Sequence, residues 1–360
     1  SSNKFINFNS TSYLSLNKEL KVKLVAERVI KEYGIGSYGI FTPYHVELYQ
    51  HLKEIYGEDY DHIQTYQGDI RDVFFSKLFD SNDFIFYDEQ LNSSFRQVLR
   101  ALHFKKNQLV EFNHNDAFDL SEKLEAIDLI SPDAHKYIIT EGVFELQGDL
   151  CHLQDIFNIS KKYDCYVILD ESNALGVIGK EGLGSYNYHQ CQEKADIVFC
   201  SMDKVLCASG QFYVFNQRIS TLLARRLTDL FNETIYPPVS TLAAAVAKTV
   251  LDIIVEDSVD FKNVGEDTTG VHAQLMDKIK YWKKKCQSIG LKFIESPSPM
   301  TCMILDEIDT ESLAQLLFKN KIKCSYVCHK KNMNYNLLKF NIIRSMDLRL
   351  LDEAYHILQS

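Results

Sequence analysis

Residues 166–172 read Tyr166-Val167-Ile168-Leu169-Asp170-Glu171-Ser172, an apolar run that ends in two acidic residues. A short apolar run bounded by polar residues is typical of a buried strand, so Asp170 is expected at a strand end. Similar runs predict five further strands, at Phe84–Tyr87, Leu109–Phe112, Tyr137–Thr140, Ile197–Phe199 and Phe212–Phe215.

Helical patterns lie between these apolar runs. They predict helices at Ser93–Leu102, Leu120–Ile130, Leu153–Tyr163 and Ile219–Leu230. Strands that alternate with helices are typical of parallel pairing, because each crossover helix returns the chain to the same end of the sheet. The sequence therefore predicts an α/β domain of three layers.

The pattern changes on both sides of this domain. A chain of 360 residues is expected to form more than one domain, and Pro237-Pro238 marks a change of character. We expect an N-terminal segment at 1–17, a large domain at 18–238, and a connecting helix with a small α+β C-terminal domain at 239–360. The large domain is expected to begin with helices at 18–34 and Val46–Tyr56. The small domain is expected to contain helices at Val239–Val255, 268–288, Glu311–Lys319 and Leu348–Leu358, and strands at Leu291–Glu295, Cys302–Leu305, Ile322–Tyr326 and Leu338–Ile343.

Composition narrows the possible functions. The chain carries 39 Lys and Arg against 49 Asp and Glu, which gives a net charge of −10. A nucleic-acid-binding surface needs clustered basic residues, so this class of protein is not expected. The nine cysteines lack the paired spacing of a metal site. They are expected to be reduced, mostly buried thiols of an intracellular protein.

No apolar run reaches the roughly 20 residues that a membrane-spanning helix needs. Leu242–Val255 is interrupted by Lys248 and Asp252. The amino terminus also lacks the pattern of a secretory signal. We expect a soluble body, and an anchor upstream of residue 1 stays an open alternative.

Lys204 follows the strand predicted at Ile197–Phe199. An acid at a strand end can pair with the ring nitrogen of pyridoxal phosphate, and a lysine can hold its aldehyde. Asp170 and Lys204 are therefore candidates for these two roles. Two structural interpretations stay open: an acid that caps the turn after a strand, and a surface lysine in a strand-to-loop segment.

Several short motifs occur in one order along the chain. Together they resemble the α-oxoamine synthases, which are fold-type I pyridoxal-phosphate enzymes that condense an amino acid with an acyl-CoA thioester and release CO2. The resemblance covers about residues 5–345 and implies a large α/β domain, a smaller C-terminal domain and pyridoxal phosphate as cofactor. The motifs are Tyr33-Gly34-Ile35-Gly36-Ser37, His114-Asn115-Asp116, Glu141-Gly142-Val143-Phe144 with Gly148-Asp149, Leu169-Asp170-Glu171-Ser172 with Gly176-Val177-Ile178-Gly179 and Gly182-Leu183-Gly184, and Pro237-Pro238.

Within that family the chain is most similar to serine palmitoyltransferase, and in particular to its first long-chain-base subunit, which pairs with a catalytic subunit. The segment Ser201-Met202-Asp203-Lys204-Val205-Leu206 resembles the stretch of that subunit from which the Schiff-base lysine is missing. Here the lysine is present. This departure separates the chain from a plain non-catalytic subunit.

The resemblance also implies which residues would hold the cofactor phosphate. Ser201 would donate to it, and Gly68 lies in the segment that resembles the phosphate-holding glycine turn. Asp203 stands where the family usually has a small hydroxyl residue, and Asp69 adds a second acid after Gly68. Two like charges about 4 Å apart repel by roughly 4 kcal/mol at an effective dielectric near 20. We therefore expect both acids to weaken phosphate binding.

Three further positions carry departures. Asn92 corresponds to the histidine that stacks on the cofactor ring, and Asn173 to the histidine after Asp-Glu. Asparagine offers no aromatic face and does not titrate near neutral pH. Lys339 corresponds to the arginine that grips the substrate carboxylate, so a point charge replaces a bidentate fork. His114 is interpreted as a turn residue without a chemical role.

Three hypotheses follow from these residues. In the first, the chain is a degenerate subunit that forms a heterodimer with a catalytic serine palmitoyltransferase subunit at the cytoplasmic face of the endoplasmic reticulum membrane. L-serine and palmitoyl-CoA would then bind in the shared site, and Tyr38 would approach the partner. In the second, the chain is an active homodimeric synthase that uses Lys204 and Asp170. In the third, it is an interaction module without catalysis.

Overall fold

The computed structural model describes residues 5–359 except 37–38, 103, 105–106, 180–181, 233–234, 264–269, 306–309 and 328–334. Tyr38, which was expected to approach a partner, therefore lies outside the described residues. The strands are β1 (Ile6–Asn7), β2 (Tyr60–Tyr66), β3 (Phe84–Asp88), β4 (Leu109–Phe112), β5 (Lys136–Glu141), β6 (Cys165–Asp170), β7 (Ile197–Ser201), β8 (Gln211–Asn216), β9 (Lys292–Phe293), β10 (Met300–Leu305), β11 (Ile322–Lys323), β12 (Ser325–Val327) and β13 (Asn336–Asn341).

The α-helices of the described residues include a counterpart of each of the ten predicted helices and two that were not predicted. Their bounds are α1 (Leu20–Tyr33), α2 (Pro43–Tyr56), α3 (Arg71–Leu78), α4 (Ser93–Ala101), α5 (Ala117–Ile130), α6 (Leu153–Lys162), α7 (Ser185–His189), α8 (Gln217–Arg226), α9 (Thr241–Asn263), α10 (Val271–Gln287), α11 (Thr310–Lys319) and α12 (Leu348–Gln359). None of these helices is long and apolar enough, within the described residues, to cross a membrane.

A seven-stranded sheet forms the centre of the molecule, in the order β2-β8-β7-β6-β5-β3-β4. The strands β3 to β7 pair in parallel. Their side chains alternate between two apolar cores, as the period of a strand requires. Phe86, Ile138, Leu169 and Val198 face one core, with α2, α5, α6 and α9, whereas Ile85, Ile139, Ile168 and Phe199 face the other, with α3, α4 and α8. The predicted three-layer α/β architecture is confirmed.

The prediction of parallel pairing is wrong for Phe212–Phe215. β8 runs antiparallel to both β7 and β2. A parallel connection needs a crossover of a dozen or more residues, and the segment 202–210 between β7 and β8 is too short for one. The segment therefore turns back on itself, and it carries Asp203 and Lys204 at the bend.

Two elements that position the site have no counterpart in the predictions. β2 is largely polar, with Gln64 and Thr65 among its residues, and α3 is a helix of eight residues. Neither segment has a clear apolar period in its sequence that would predict a strand or a helix. Both elements obtain their stability from tertiary packing. Phe74 and Phe75 of α3 are fully buried against the sheet.

The C-terminal part of the chain forms a second, four-stranded sheet in the order β12-β13-β10-β9. The N-terminal segment joins this part, because β1 pairs in parallel with β11. The chain then returns toward the large sheet at Tyr13, whose side chain is fully buried. The division at residues 17 and 238 stays a prediction.

The cysteines of the described chain are all free, and six of the eight are buried. Cys328 lies outside the described residues.

Candidate functional site

A cleft of about 450 Å³ opens at the carboxyl ends of β6 and β7. The pairing of Asp170 with Phe199 brings the two strand ends level, so Asp170 and Lys204 meet at one edge of the sheet. Ligands of parallel α/β sheets bind at this edge. The predicted residues that line the cleft are Gly68, Asp69, Asn92, Asp170, Ser201, Asp203 and Lys204.

We call the deeper part of this region the buried end and define it by Glu141, Asp170 and Glu171. All three acidic residues are buried. We call the outer part the mouth and define it by Asp69, Glu145 and Asp203, of which Asp69 and Glu145 keep about half of their side chain exposed.

Asp170 at the buried end is held by fixed hydrogen bonds. Its Oδ1 accepts from the backbone N–H of Ser172 at 2.8 Å, and its Oδ2 accepts from Asn92 Nδ2 at 3.3 Å. Burial raises the pKa of Asp170, although the positive charge of Lys204 opposes this rise. The carboxyl group lies at the end of β6, which is the position predicted for an acid that could pair with the ring nitrogen of pyridoxal phosphate.

Two glutamates crowd this aspartate. Glu141 is its register partner on β5, and burial together with the charge of Asp170 raises the pKa of Glu141 well above its usual range. Burial raises the pKa of Glu171 to about 7, and hydrogen bonds from Ser185 oppose the rise. The buried end therefore stabilises protonated carboxyl groups.

Lys204 is 14% exposed and does not behave as a surface lysine. Its Nζ donates to Asn173 Oδ1 at 2.9 Å, and the same oxygen accepts from the hydroxyl of Tyr13 at 3.2 Å. The carboxylate of Glu145 lies 3.8 Å from Lys204 Nζ. Asn173 thus fixes the lysine instead of presenting an aromatic ring to a cofactor.

Asn92 serves the fold as well as the cleft. Its Oδ1 accepts from the backbone N–H of Phe95 at 3.0 Å, so the side chain caps the start of α4. Its backbone N–H donates to Glu141 Oε1 at 2.6 Å. Asn92 therefore caps α4 and binds the buried end of the cleft, and its amide side chain cannot stack on a cofactor ring as a histidine would.

Ser201 and Asp203 at the mouth bond to each other. The hydroxyl of Ser201 donates to Asp203 Oδ1 at 2.6 Å, and the side chain of Asp203 is exposed. Nearby Gly68 lines the same part of the cleft. The hydroxyl that would donate to a phosphate therefore already has an anionic acceptor.

Asp69 is not the free charge that the sequence suggested. Arg71 donates to it through Nε, at 2.9 Å to Oδ1, and through Nη2 to Oδ2. Burial acts to raise the pKa of Asp69, but hydrogen bonds from Arg71 and Gln211 outweigh it, so that the pKa is lowered. The expected repulsion from Asp69 is thus compensated within the chain.

Three predicted residues lie outside the cleft lining: Asn173, which contacts Lys204, and also Lys339 and His114. Lys339 on β13 donates to the backbone carbonyl of Glu145 at 2.8 Å. His114 lies in a turn, as predicted, but it is also clamped between Asp88 at 2.9 Å and Asp149 at 2.6 Å. Burial alone would lower the pKa of His114, but these two hydrogen bonds raise it to about 10. His114 is therefore a cationic link between the end of β3 and the segment that carries Asp149.

Sequence reasoning missed three residues of the site: Tyr13, Arg71 and Glu145. The signals for Arg71 and Glu145 were available, since Arg71 follows the glycine turn by three residues and Glu145 ends the stretch Glu141-Gly142-Val143-Phe144-Glu145. No motif in the sequence indicates Tyr13 as a site residue, because it is 160 residues from Asn173 in the chain and only the fold brings the two together.

The residues of the cleft fit one end of pyridoxal phosphate and not the other. Asp170 and Lys204 suit the ring nitrogen and the aldehyde. A phosphate dianion would meet the carboxylates of Asp203 and Glu145 at the mouth, where Asp69 already pairs with Arg71. Among the described residues that line the cleft, Arg71 and Lys204 are the cations, and each already has a carboxylate partner. The donor set therefore does not fit the phosphate.

Comparison with known proteins places the chain in a family. The model of the aminotransferase class I and II family matches residues 3–342. An 8-amino-7-oxononanoate synthase of Thermoanaerobacter pseudethanolicus is 26% identical over 86% of this chain and 74% of its own length. A serine palmitoyltransferase of Sphingobacterium spiritivorum is 25% identical over 75% of this chain and 67% of its own length.

A solved structure agrees on the fold. Serine palmitoyltransferase of Sphingomonas wittichii superposes with a TM-score of 0.80 at 20% identity, over 99% of this chain and 86% of that one. The predicted fold type is confirmed, and so is the resemblance to α-oxoamine synthases. The chain belongs to the class I and II aminotransferase family of fold-type I pyridoxal-phosphate proteins, with α-oxoamine synthases among its relatives.

Proposed function

We propose that this chain is a degenerate subunit of a serine palmitoyltransferase, and that it completes the active site of a catalytic subunit. The complex would condense L-serine with palmitoyl-CoA to 3-ketosphinganine in sphingolipid biosynthesis. The observation that carries the proposal is the mouth of the cleft, where carboxylates occupy the region in which the cofactor phosphate would bind.

The size of this effect follows from simple electrostatics. A carboxylate about 4 Å from one phosphate charge costs about 1 kcal/mol in bulk water and about 4 kcal/mol at an effective dielectric near 20. Asp203 is exposed, so its own effect falls between these limits. Each 1.4 kcal/mol corresponds to a tenfold loss of affinity. The chain would then depend on a partner for turnover.

An exposed apolar surface supports a partner. On α1, Leu20 is 68% exposed and Leu24 is 52% exposed, and the two lie on one helix face. The segment before α2 exposes Ile40 and Phe41 as well. Neighbouring apolar side chains that form a patch open to water are typical of a surface that another chain covers, whereas single ones are not. We propose that the catalytic subunit covers the face of α1 that carries Leu20 and Leu24.

Location at the endoplasmic reticulum membrane, with the catalytic body facing the cytoplasm, belongs to the same proposal. A long-chain acyl-CoA and a long-chain product are both lipids of the membrane surface. The contact with the membrane would come from the partner or from an anchor outside this chain.

Co-purification tests the proposal. This chain is expressed with a catalytic homologue that carries the ring-stacking histidine, and the complex is purified through a tag on this chain. We expect a heterodimer with one pyridoxal phosphate per two chains, which forms 3-ketosphinganine from L-serine and palmitoyl-CoA. Recovery of this chain alone as a dimer with one cofactor per chain would contradict the proposal.

The second candidate is an active homodimeric synthase that uses Lys204. The favouring observation is that Lys204 and Asp170 share one cleft, with Lys204 mostly shielded from water. An internal Schiff base would give the purified chain a visible absorbance band that Lys204→Ala removes. A chain that stays colourless with added cofactor excludes this candidate.

A further inference from the structure

We propose that Asp69 is an internal ligand of an anion site in the cleft, and that its carboxylate keeps external phosphates out. The inference deepens the function proposed above and rests on it, because it supplies the means by which this chain would refuse the cofactor of its family. The site consists of the start of α3 and the guanidinium group of Arg71, and Ser94 Oγ, which donates to Asn92 Oδ1, accepts from Arg71 Nη1 and helps to hold it in place.

The first contact is at the start of α3. The first N–H groups of a helix have no partner within the helix, and together with the helix dipole they favour an anion. Asp69 Oδ1 accepts from the backbone N–H of Arg71 at 3.1 Å. The chain thus places its own carboxylate where a helix start would bind a phosphate.

The second contact fixes the guanidinium group. Arg71 is 9% exposed, and its guanidinium carbon lies 4.9 Å from the ring centre of Phe95 and 5.4 Å from that of Phe199. Its Nη1 donates to Ser94 Oγ at 2.9 Å. Because these contacts hold Arg71 in place, its Nε and Nη2 can serve only an anion inside the cleft, and Asp69 takes both.

The internal ligand has an advantage over any free anion. A group tethered by two residues has an effective concentration in the millimolar range or above, without loss of translational freedom on binding. Asp69 keeps 49% of its side chain exposed, so water already surrounds part of it. Removal of its charge would leave a preformed cationic site of unchanged shape.

Calorimetric titration of the purified chain with inorganic phosphate tests this inference. We expect Asp69→Asn to bind phosphate at least about a hundredfold more tightly than the unaltered chain, because a neutral amide competes for the Arg71 guanidinium group more weakly than a carboxylate does. Asp69→Ala serves as a second variant. Adding Arg71→Ala to Asp69→Asn should abolish the gain, and thermal melting checks that each variant is folded.

Asp72→Ala is the matched control, because Asp72 is an exposed acid on the same helix and its loss changes the net charge equally. Equal gains from Asp69→Asn and Asp72→Ala would overturn the inference, as would no gain from Asp69→Asn in a folded chain. The function proposed above fails by a different result, namely no complex with the catalytic homologue in the co-purification, while Asp69→Asn still gains affinity for phosphate.

Discussion

The carboxyl groups at the buried end of the cleft and those at its mouth do different work. Asp170 and Glu141 accept hydrogen bonds from Ser172 and Asn92, and so they tie strand ends to the start of α4. Asp203 is exposed and accepts from the neighbouring Ser201 hydroxyl. Substitution of an acid at the buried end is therefore expected to change the stability of the fold, whereas substitution of an acid at the mouth is expected to change which anions the cleft binds.

The largest effect is expected at a buried carboxylate outside the cleft lining. Asp88 ends β3 and is clamped to His114, which also holds Asp149. His114→Leu leaves both acids without their cation, and removal of one partner from a buried pair costs about 3–5 kcal/mol. We expect a loss of this size in the free energy of unfolding at pH 7, measured by urea denaturation.

The pH dependence of this loss has a definite sign. The pKa of His114 is raised to about 10 in the folded chain from 6.5, so its contribution is full below pH 6.5 and disappears as the pH rises through about 10. The gap between the two proteins should narrow from pH 7 to pH 10. His152→Leu, at an exposed histidine, is the control. A loss below 1 kcal/mol for His114→Leu would remove the contrast between buried and exposed acids.

The core of the large domain could be predicted from the sequence, because its strands are short apolar runs and the helices between them are regular. β2 and α3 could not, because their stability comes from packing of Phe74, Phe75 and Tyr66 against distant residues. The reversal of β8 was available from the sequence through the short segment 202–210, but the prediction ignored the length that a crossover needs.

For the candidate site, the sequence located single residues and not their contacts. It indicated Asp203 and Asp69 as acids in a phosphate region, and it assigned both the same effect. The structure separates them, since Asp69 is paired with Arg71 and Asp203 is not. That pairing depends on the start of α3, a helix absent from the predictions, so the compensation of charge was hidden from sequence reasoning.

A second effect is expected from Glu171 at the buried end. Its pKa is raised to about 7 from 4.5, so the stability that it supports is full below pH 4.5 and is lost as the pH rises through 7. The loss amounts to about 3 kcal/mol over this window, at 1.36 kcal/mol per pKa unit. We therefore compare the free energies of unfolding of Glu171→Gln and of the unaltered chain. From pH 5 to pH 9, the value for Glu171→Gln should rise relative to that of the unaltered chain by roughly this amount.

Glu122→Gln, at an exposed glutamate of α5, is the control for this comparison. Its difference from the unaltered chain should be nearly constant over the same pH range. A constant difference for Glu171→Gln as well would show that the buried end tolerates ionised carboxylates, and the distinction from the mouth would weaken.

A smaller effect is expected at Asn92, which links the buried end to α4. Asn92→Ala removes the cap on Phe95 N–H and the bond to Asp170, and loss of such a cap costs about 1–2 kcal/mol. Asn92→Ser keeps a capping hydroxyl and loses the bond to Asp170, so its loss in the free energy of unfolding should be about half of that of Asn92→Ala. Urea denaturation measures both, and equal losses for the two variants would contradict the capping role.

The smallest effect on stability is expected at the mouth. Asp203→Ala removes an exposed carboxylate together with its hydrogen bond from Ser201, and surface substitutions of this kind change the free energy of unfolding by no more than about 0.5 kcal/mol. The same variant should bind inorganic phosphate more tightly than the unaltered chain in calorimetric titration, because one negative charge near the site is gone. A loss of stability above 1 kcal/mol, with phosphate binding unchanged, would mean that Asp203 supports the fold in the way that Asp170 does, and the two ends of the cleft would no longer differ in kind.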